Sequence, residues 1–345
     1  MIMQTRRGRT AGRPFLALAA VLIAMAGIAG QAKAEAAAAP IATKASEDFW
    51  IGDFAALERK NAQLRESGGY TPEGQAKLDL FREELTSVFD HDARPREPYL
   101  RELDALTLQW TTQYPQSALA HILHARSLFA HGWSYRGNGM ADQVPPQAWK
   151  DFESYLRSAV KYLNDHGEVA LSDSYAHVTL LDIGRGLGFS QKQRDVIVQD
   201  GLQRNPRDLN LYAVASMALL PKWGGDSGKL DKYIRQAAAQ TRAEHGAGLY
   251  ASLYWAAAVH QYGHALFDSS LADWPTMKQG YEDILARSPD SVSQRNRYAY
   301  FACLAKDKMT LLEQFEKIGT RLDTAEWGPN GERSLERCQR LASEA

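Results

Sequence analysis

Three prolines at corresponding points of a repeated pattern constrain the fold of this chain more than any other feature. Pro115, Pro206 and Pro289 each follow an amphipathic segment and each precede an apolar one. Proline ends a helix because the residue before it is pushed out of the α region. Ten positions after each proline stands a small residue that lets neighbouring helices approach closely: Ala125, Ser216 and Ala299. The pattern predicts that pairs of helices recur along the chain.

Apolar residues recur at helical spacing nearly everywhere in the chain. Leu230, Ile234, Ala237 and Thr241, for example, fall on one helical face. No Asn-Gly or Asp-Gly pair stands between alternating apolar runs, so β-hairpins are not indicated. We therefore predict an all-α fold, a tetratricopeptide-like helical-repeat array that forms an α-α superhelix.

The predicted units are longer than a simple tetratricopeptide repeat. Their spacing is more than twice the usual length of about 34 residues, so two additional helices are expected, at 172–183 and 249–267. Polar residues before helical segments also predict where helices begin. The expected N-caps are Thr71, Ser190 in a capping box with Gln193, and Asp226 or Ser227.

The first 34 residues have the features of a secretory signal peptide. Several arginines precede an unbroken apolar run at 15–29, and Ala32 and Ala34 occupy the small-residue positions that a signal peptidase recognises. The apolar run is shorter than the roughly 20 residues that span a membrane as a helix. We therefore predict an exported, periplasmic protein that is cleaved between Ala34 and Glu35 and has no membrane span after cleavage.

The remaining chain is predicted to form one domain. Residues 35–46 are rich in alanine and indicate a flexible tether, and residues 47–345 indicate a continuous helical-repeat domain with 90–98 as the candidate hinge. The chain has 40 Lys and Arg against 41 Asp and Glu, and the leader removes some of the basic residues. A mildly acidic protein without basic blocks is a poor match for phosphate backbones, so we exclude nucleic acid as a partner.

Two aromatic, glycine-rich corners, at 131–139 and 219–226, follow their prolines at nearly the same distance. Glycine permits close backbone approach, and tryptophan offers a large apolar face with one N–H group. Two interpretations are open. In the first, the corners bind a ligand or partner. In the second, which the usual burial of tryptophan favours, each tryptophan fills the gap between helix pairs and Arg136 bonds to buried carbonyls. The predicted binding residues are Trp133, Tyr135, Arg136, Lys222, Trp223 and Asp226.

Histidines occur in two loose groups: His260 with His264, and His121 with His124 and His131. His260 and His264 would share one face of an α-helix, but neither group has a further ligand at metal-binding spacing. We therefore predict no metal site and no cofactor. The glycines at 184–188 would end a helix and do not follow a strand, which favours a helix C-cap over a phosphate-binding loop.

The chain has two cysteines, Cys303 and Cys338. In an exported protein an even number of cysteines favours a disulfide, and a helix pair between the two residues would let them meet. Closing such a loop stabilises the folded state by roughly 3 to 4 kcal/mol. The alternative is that Cys303 is a small buried residue with a free thiol.

Three short motifs of the chain are distinctive. They are Trp-Ser-Tyr-Arg-Gly at 133–137, Leu-Pro-Lys-Trp-Gly-Gly at 220–225, and Asn-Arg-Tyr-Ala at 296–299 followed by Phe-Ala-Cys at 301–303. With these motifs the chain resembles an uncharacterised bacterial family, the domain of unknown function number four-zero-three-four, over about 48–338. The resemblance implies a helical protein. It carries over no catalytic residues, because none are established for the family.

The repeat predicts a binding surface more directly than a reaction. Stacked helix pairs present a concave face, and the residues six positions after the prolines would border it: His121, Tyr212 and Arg295. We predict a binding or scaffold protein that recognises a peptide or protein partner. A narrower form of this hypothesis is an immunity-like protein that binds an exported toxin and protects against it. The alternative is an α/α-type envelope enzyme acting on carbohydrate or peptidoglycan. We favour binding over catalysis and assign no catalytic residue.

Overall fold

The computed structural model describes residues 44–89 and 96–344. Helices dominate these residues, which contain no β-strand and one isolated bridge between Tyr70 and Ala76. The predicted all-α class is therefore confirmed. The signal peptide and most of the predicted tether and hinge lie outside the described residues. The last three residues of the tether, 44–46, are helical.

The α-helices differ in length from one turn to about five turns. In chain order they are α1 (44–50), α2 (Phe54–Ser67), α3 (Lys77–Ser87), α4 (Arg96–Gln113), α5 (Ala118–Arg136), α6 (Pro146–Asp165), α7 (Gly167–Ala170), α8 (Ser174–Leu187), α9 (Gln191–Arg204), α10 (Leu209–Met217), α11 (Ser227–His245), α12 (Gly248–Ala257), α13 (Leu266–Ser269), α14 (Trp274–Arg287), α15 (Val292–Leu304), α16 (Lys308–Ile318) and α17 (Gly331–Ser343). None of the helices in the described part of the chain is long and apolar enough to cross a membrane.

The three prolines of the repeated pattern have the same local structure. Each stands two residues after the end of a helix, α4, α9 or α14, and three residues before the start of the next, α5, α10 or α15. The residue just before each second helix is an N-cap whose side chain accepts a backbone N–H bond of 3.0 to 3.2 Å: Ser117, Asp208 and Ser291. The small residues ten positions after the prolines are buried. The three turns are therefore built alike.

Contacts between helices run mainly from one helix to its neighbours along the chain. α5 packs against α4, α6 and α8, and α10 packs against α8, α9, α11 and α12. Beyond α12 the contacts continue through α14 and α15 to α16 and α17. α5, α8, α10 and α12 thus form a continuous row, with α6, α9 and α11 beside it.

The hydrophobic core is divided into three clusters. The N-terminal cluster joins α1 to α5 with α8 and surrounds Trp110, whose ring stacks on Phe54 at a centroid distance of 5.1 Å. The middle cluster joins α5, α6 and α8 around Phe152. The C-terminal cluster extends from α10 to α17 and contains the buried Tyr254 and Trp327. Each cluster is built from residues of several helices, so a single helix pair supplies only part of any core.

The prediction that Thr71 caps a helix is wrong. Residues 69–77 form a tight hairpin turn in which Thr71 Oγ1 accepts the Gln75 N–H at 3.1 Å, and α3 begins only at Lys77. The hydroxyl bonds within its own turn, as Thr often does in turns, and it is not available to a helix.

The tip of this hairpin contacts a helix more than 200 residues away. Glu73 Oε2 accepts the Ser293 N–H at 2.9 Å and the hydroxyls of Ser291 and Ser293 at 3.0 and 2.8 Å. Burial alone would raise the pKa of Glu73, but these hydrogen bonds outweigh it and hold the pKa below its ordinary value. A carboxylate at the start of α15 is also favoured by the helix dipole. The hairpin therefore joins the N-terminal helices to the C-terminal ones.

The predicted helix at 249–267 is interrupted. α12 ends at Ala257 and is followed by a π-helical turn, a 3₁₀ turn and the short α13. Gly263 between the two turns has a φ of +53°, a conformation that glycine adopts without steric cost. His260 and His264 consequently do not share a face of an α-helix, and the expectation that they would is wrong.

Other predicted helix ends are confirmed. Ser190 and Gln193 form the capping box of α9, Asp226 caps α11 by accepting a backbone N–H at 2.8 Å, and Gly188 closes α8 with a φ of +69°. One boundary differs, because α5 continues to Arg136. Residues 131–136 of the first aromatic corner are therefore the last part of a helix, and only residues 137–139 of the corner lie in the loop.

Cys303 on α15 and Cys338 on α17 are joined by a disulfide, with Cα atoms 5.6 Å apart. Both residues are buried. α17 places only Leu335 and Cys338 in the core. The disulfide is therefore a principal attachment of the last helix to α15.

Candidate functional site

Trp133 in the first corner lies on the last turns of α5 and is partly buried. Its ring meets Phe152 edge to face at a centroid distance of 5.0 Å and Phe129 at 6.1 Å. The indole Nε1 is shielded from solvent and has no hydrogen-bond partner among the residues that the structure describes. Most of this side chain therefore packs against the middle cluster.

Arg136 bonds to its own loop. Its guanidinium lies 5.7 Å from the Trp133 ring and 5.4 Å from the Trp149 ring. Its Nη1 donates to the carbonyl oxygen of Gly137 at 3.0 Å and to that of Gly139. The cation–π contacts and the two hydrogen bonds hold the end of α5 against α6. These contacts favour the packing alternative for Arg136 over contact with a ligand.

Tyr135 is the most accessible aromatic residue of this corner, with 37% of its surface exposed. Its ring stacks on Tyr155 and His131 at centroid distances of 5.7 and 5.9 Å, and its hydroxyl donates to Glu97 Oε2 at 3.2 Å. Burial and the neighbouring Glu97 carboxylate raise the pKa of Tyr135 to about 12. The hydroxyl therefore stays protonated at neutral pH.

The second corner is a 3₁₀ turn, Pro221–Trp223, that is tied to the π-helical turn after α12. The Lys222 backbone N–H donates to Gln261 Oε1 at 3.1 Å, and its Nζ donates to the His260 carbonyl oxygen at 2.6 Å. The same Nζ lies 5.3 Å from the centre of the Trp223 ring. Lys222 thus joins two turns of its own chain.

Glycine is required in the second corner for steric reasons. A Cβ atom on Gly225 would lie 1.9 Å from the Leu219 carbonyl oxygen, and Gly224 has a φ of +89°. Asp226 follows directly and pairs with Lys229 at 2.8 Å in addition to capping α11. The motif therefore specifies a compact start for α11.

The two corners are supported by different parts of the core. Trp133 packs against the middle cluster, whereas Trp223 packs against the C-terminal cluster. The six predicted binding residues are therefore divided between two places in the fold. Their role in binding stays a prediction.

The histidines of the first group have partners within the protein. His121 contacts the Tyr162 hydroxyl at 2.8 Å, and His124 contacts Thr107 Oγ1 at 2.9 Å. His131 lies between Asp104 and Glu97, at 2.8 and 3.2 Å. Among the residues that the structure describes, no group of three or more His, Cys, Asp or Glu residues has an arrangement that could hold a metal ion.

The residues six positions after the prolines share one structural role. Each bonds to the carbonyl oxygen of its own proline: His121 at 3.0 Å, Tyr212 at 3.2 Å and Arg295 at 2.6 Å. Three different side chains thus close the same turn. These hydrogen bonds favour a structural role for the three residues within their turns over the predicted role at the border of a binding surface.

The structure adds a site that the sequence reasoning did not include, a groove between α9 and α11 whose floor is formed by residues of α9, α10 and the segment just after α10. Its volume is about 580 Å³, within the range of about 300 to 1,000 Å³ that is usual for ligand pockets. The floor is apolar and includes Val198, Leu202, Ala218 and Leu219, all of them partly exposed. An apolar surface that remains open to solvent is a candidate contact surface.

The rim of the groove consists mainly of glutamines. All five of these side chains are exposed: Gln191, Gln199 and Gln203 on α9, and Gln236 and Gln240 on α11. The charged side chains that line the groove are Arg194 and Asp195, of opposite sign. Arg194 donates to the Phe189 carbonyl oxygen at 2.6 Å and to Gln191 Oε1 at 2.9 Å. The groove thus offers an apolar floor and amide groups that both donate and accept.

One local feature of the sequence, a buried glycine, positions α9. Gly201 is the only residue of α9 that is fully buried, and a Cβ atom there would lie 2.6 Å from Leu211 and 2.8 Å from His177. The glycine therefore lets α9 lie close to α8 and α10. The sequence of α9 carried a signal for the groove, because this helix is rich in glutamine, but the facing wall on α11 is set by tertiary packing.

Comparison of the chain with models of known protein families, with curated proteins and with solved structures finds no match. The resemblance to the uncharacterised bacterial family stays a prediction.

Proposed function

We propose that this protein is an exported helical-repeat binding protein, with a tetratricopeptide-like superhelix, that recognises a peptide or protein partner. Contacts that pass from helix to helix and three equivalent prolyl turns support the repeat array. The groove between α9 and α11 is the single observation that carries the binding function. It combines open apolar surface with a rim of uncharged hydrogen-bonding groups. The family membership suggested by the three motifs is part of the same proposal.

The test is selection of a random linear peptide library on the full chain and on two variants. In Ala218→Arg a long charged side chain occupies the partly exposed floor of the groove. In Ala239→Arg the same change is made at an exposed position of α11 that does not line the groove. Far-ultraviolet circular dichroism verifies that both variants remain helical.

We expect peptides to be enriched by the parent chain and by Ala239→Arg but not by Ala218→Arg. Such a pattern locates recognition in the groove, because the two variants carry the same added charge. Enrichment that survives Ala218→Arg, or no enrichment by the parent chain, would contradict the proposed function at this site.

A further inference from the structure

The spacing of the rim glutamines matches the repeat of an extended peptide. Gln199 and Gln203 are four residues apart on α9, and Gln236 and Gln240 are four residues apart on α11. A helix rises 1.5 Å per residue, so each pair is spaced by about 6 Å along its axis. An extended chain repeats every second residue at about 6.6 Å. The amide groups on each wall of the groove are therefore spaced at nearly the distance that separates alternate peptide groups of an extended chain.

The chemistry of the rim fits a peptide backbone better than a charged or helical ligand. A glutamine amide donates and accepts, as a peptide group does, and Gln199, Gln203 and Gln236 make no side-chain hydrogen bond to another part of the described chain. A helical ligand bonds its own peptide groups internally and would leave these amides without regular partners. A strongly charged ligand would meet only Arg194 and Asp195, whose charges cancel.

We propose that the groove binds an extended, uncharged peptide segment through its main chain, with alternate side chains of aliphatic character on the apolar floor. This inference rests on the proposed function, since it names the partner class of the same groove. Alternate side chains of an extended chain point to opposite sides. One set would contact Val198, Leu202 and Leu219, and the other would face solvent.

The experiment uses the peptides selected on the parent chain, resynthesised with single amide-to-ester replacements along the backbone. An ester removes one N–H donor without adding bulk. Successive N–H groups of an extended chain point to opposite sides, so central N–H groups face α9 and α11 in turn. We expect replacements at central positions to weaken binding about threefold to tenfold, the size of one lost hydrogen bond. Replacements at the ends should change the affinity less than twofold.

Variants of the protein give the matching half of the test. Gln199→Ala combined with Gln236→Ala should weaken binding of the parent peptides about tenfold, because two rim amides are lost. Gln339→Ala on the exposed surface of α17 is the control and should leave the affinity unchanged. Alanine is a better helix former than glutamine, so the helices remain intact.

The two proposals fail in different ways. If peptides are selected through the groove but tolerate every single ester replacement, or if they are helical in circular dichroism, the extended-backbone inference is overturned and the binding function stands. If the double glutamine variant binds as well as the parent chain, the inference is overturned likewise. If no groove-dependent peptide is selected at all, the proposed function itself fails.

Discussion

Two histidines on α5 show how the surroundings of a residue decide its chemistry. Burial lowers the pKa of His124 to about 4, so it is neutral at pH 7 and contacts Thr107. Burial alone would also lower the pKa of His131, but the Asp104 and Glu97 carboxylates outweigh it and raise that pKa above its ordinary value. The same side chain is thus kept neutral at one position and favoured as a cation at the other.

The two histidines should make opposite contributions to stability as the pH changes. The folded state disfavours protonation of His124, so its contribution is lost as the pH falls from about 6.5 towards 4. The folded state favours protonation of His131, so its contribution is present below about 6.5 and is lost as the pH rises through the raised pKa.

Urea unfolding of His124→Gln and His131→Gln between pH 5 and pH 9 measures this difference. Relative to the parent chain, the stability deficit of His131→Gln should be larger at low pH, and that of His124→Gln larger at high pH. The deficit of His124→Gln should change by about 2 kcal/mol between pH 6.5 and pH 5, since one pKa unit corresponds to about 1.4 kcal/mol. The deficit of His131→Gln should change in the opposite direction. Deficits that change in the same direction would contradict the assignment.

At the scale of the element, helix ends followed local sequence rules and helix interruptions did not. The capping box at Ser190 and the glycine cap at Gly188 depend on residues within one turn, and both were predicted. The break after Ala257 was missed, because the apolar spacing of 249–267 fits an uninterrupted helix. That break is held by the Lys222 bonds to His260 and Gln261, which come from another part of the chain.

The attachment of α17 through the disulfide gives a prediction at this scale. Cys303→Ala combined with Cys338→Ala should lower the free energy of unfolding by about 3 to 4 kcal/mol, the entropy of closing a loop of 35 residues. Because α17 has few other residues in the core, amide hydrogen exchange at 331–343 should accelerate more than exchange in α15.

Titration of thiols in the unreduced, denatured parent chain is the control, and it should detect none. Two titratable thiols, or a double variant as stable as the parent chain, would contradict a stabilising disulfide.

At the scale of the whole molecule, the hairpin at 69–77 makes a contact between helices that are far apart in the chain. Most helices of the described chain contact their neighbours in sequence, yet Glu73 bonds to Ser291 and Ser293 at the start of α15. Gly74 also lies against Ser288. This hairpin therefore limits how far the N-terminal and C-terminal helices can move apart.

Glu73→Gln should weaken this connection. We expect a loss of about 1 to 2 kcal/mol at pH 7, because a charge-assisted set of hydrogen bonds becomes neutral, and faster hydrogen exchange at Val292 and Ser293. The pKa of Glu73 is lowered in the folded state, so its stabilisation is present above the ordinary pKa of about 4.5 and is lost as the pH falls through the folded value. The difference from the parent chain should therefore shrink below about pH 4.

Glu66→Gln, at an exposed position near the end of α2, is the matched control and should change stability by less than about 0.5 kcal/mol. Equal stability of Glu73→Gln and the parent chain at pH 7 would show that the hairpin contact does not hold the N-terminal and C-terminal helices together.

The sequence by itself determined the helical class, the three equivalent prolyl turns and most helix ends, because these depend on periodicity and on residues within a turn of one another. It did not determine what the corner residues contact. In the sequence, Arg136 and Lys222 are charged residues with aromatic neighbours, as binding residues often are. Only the structure shows that their side-chain N–H groups donate to carbonyl oxygens of the same chain. Packing likewise decided the groove between α9 and α11 and the hydrogen bonds from α15 to Glu73. Both features join residues that are far apart in sequence, and such residues come together only when the apolar faces of the helices are buried.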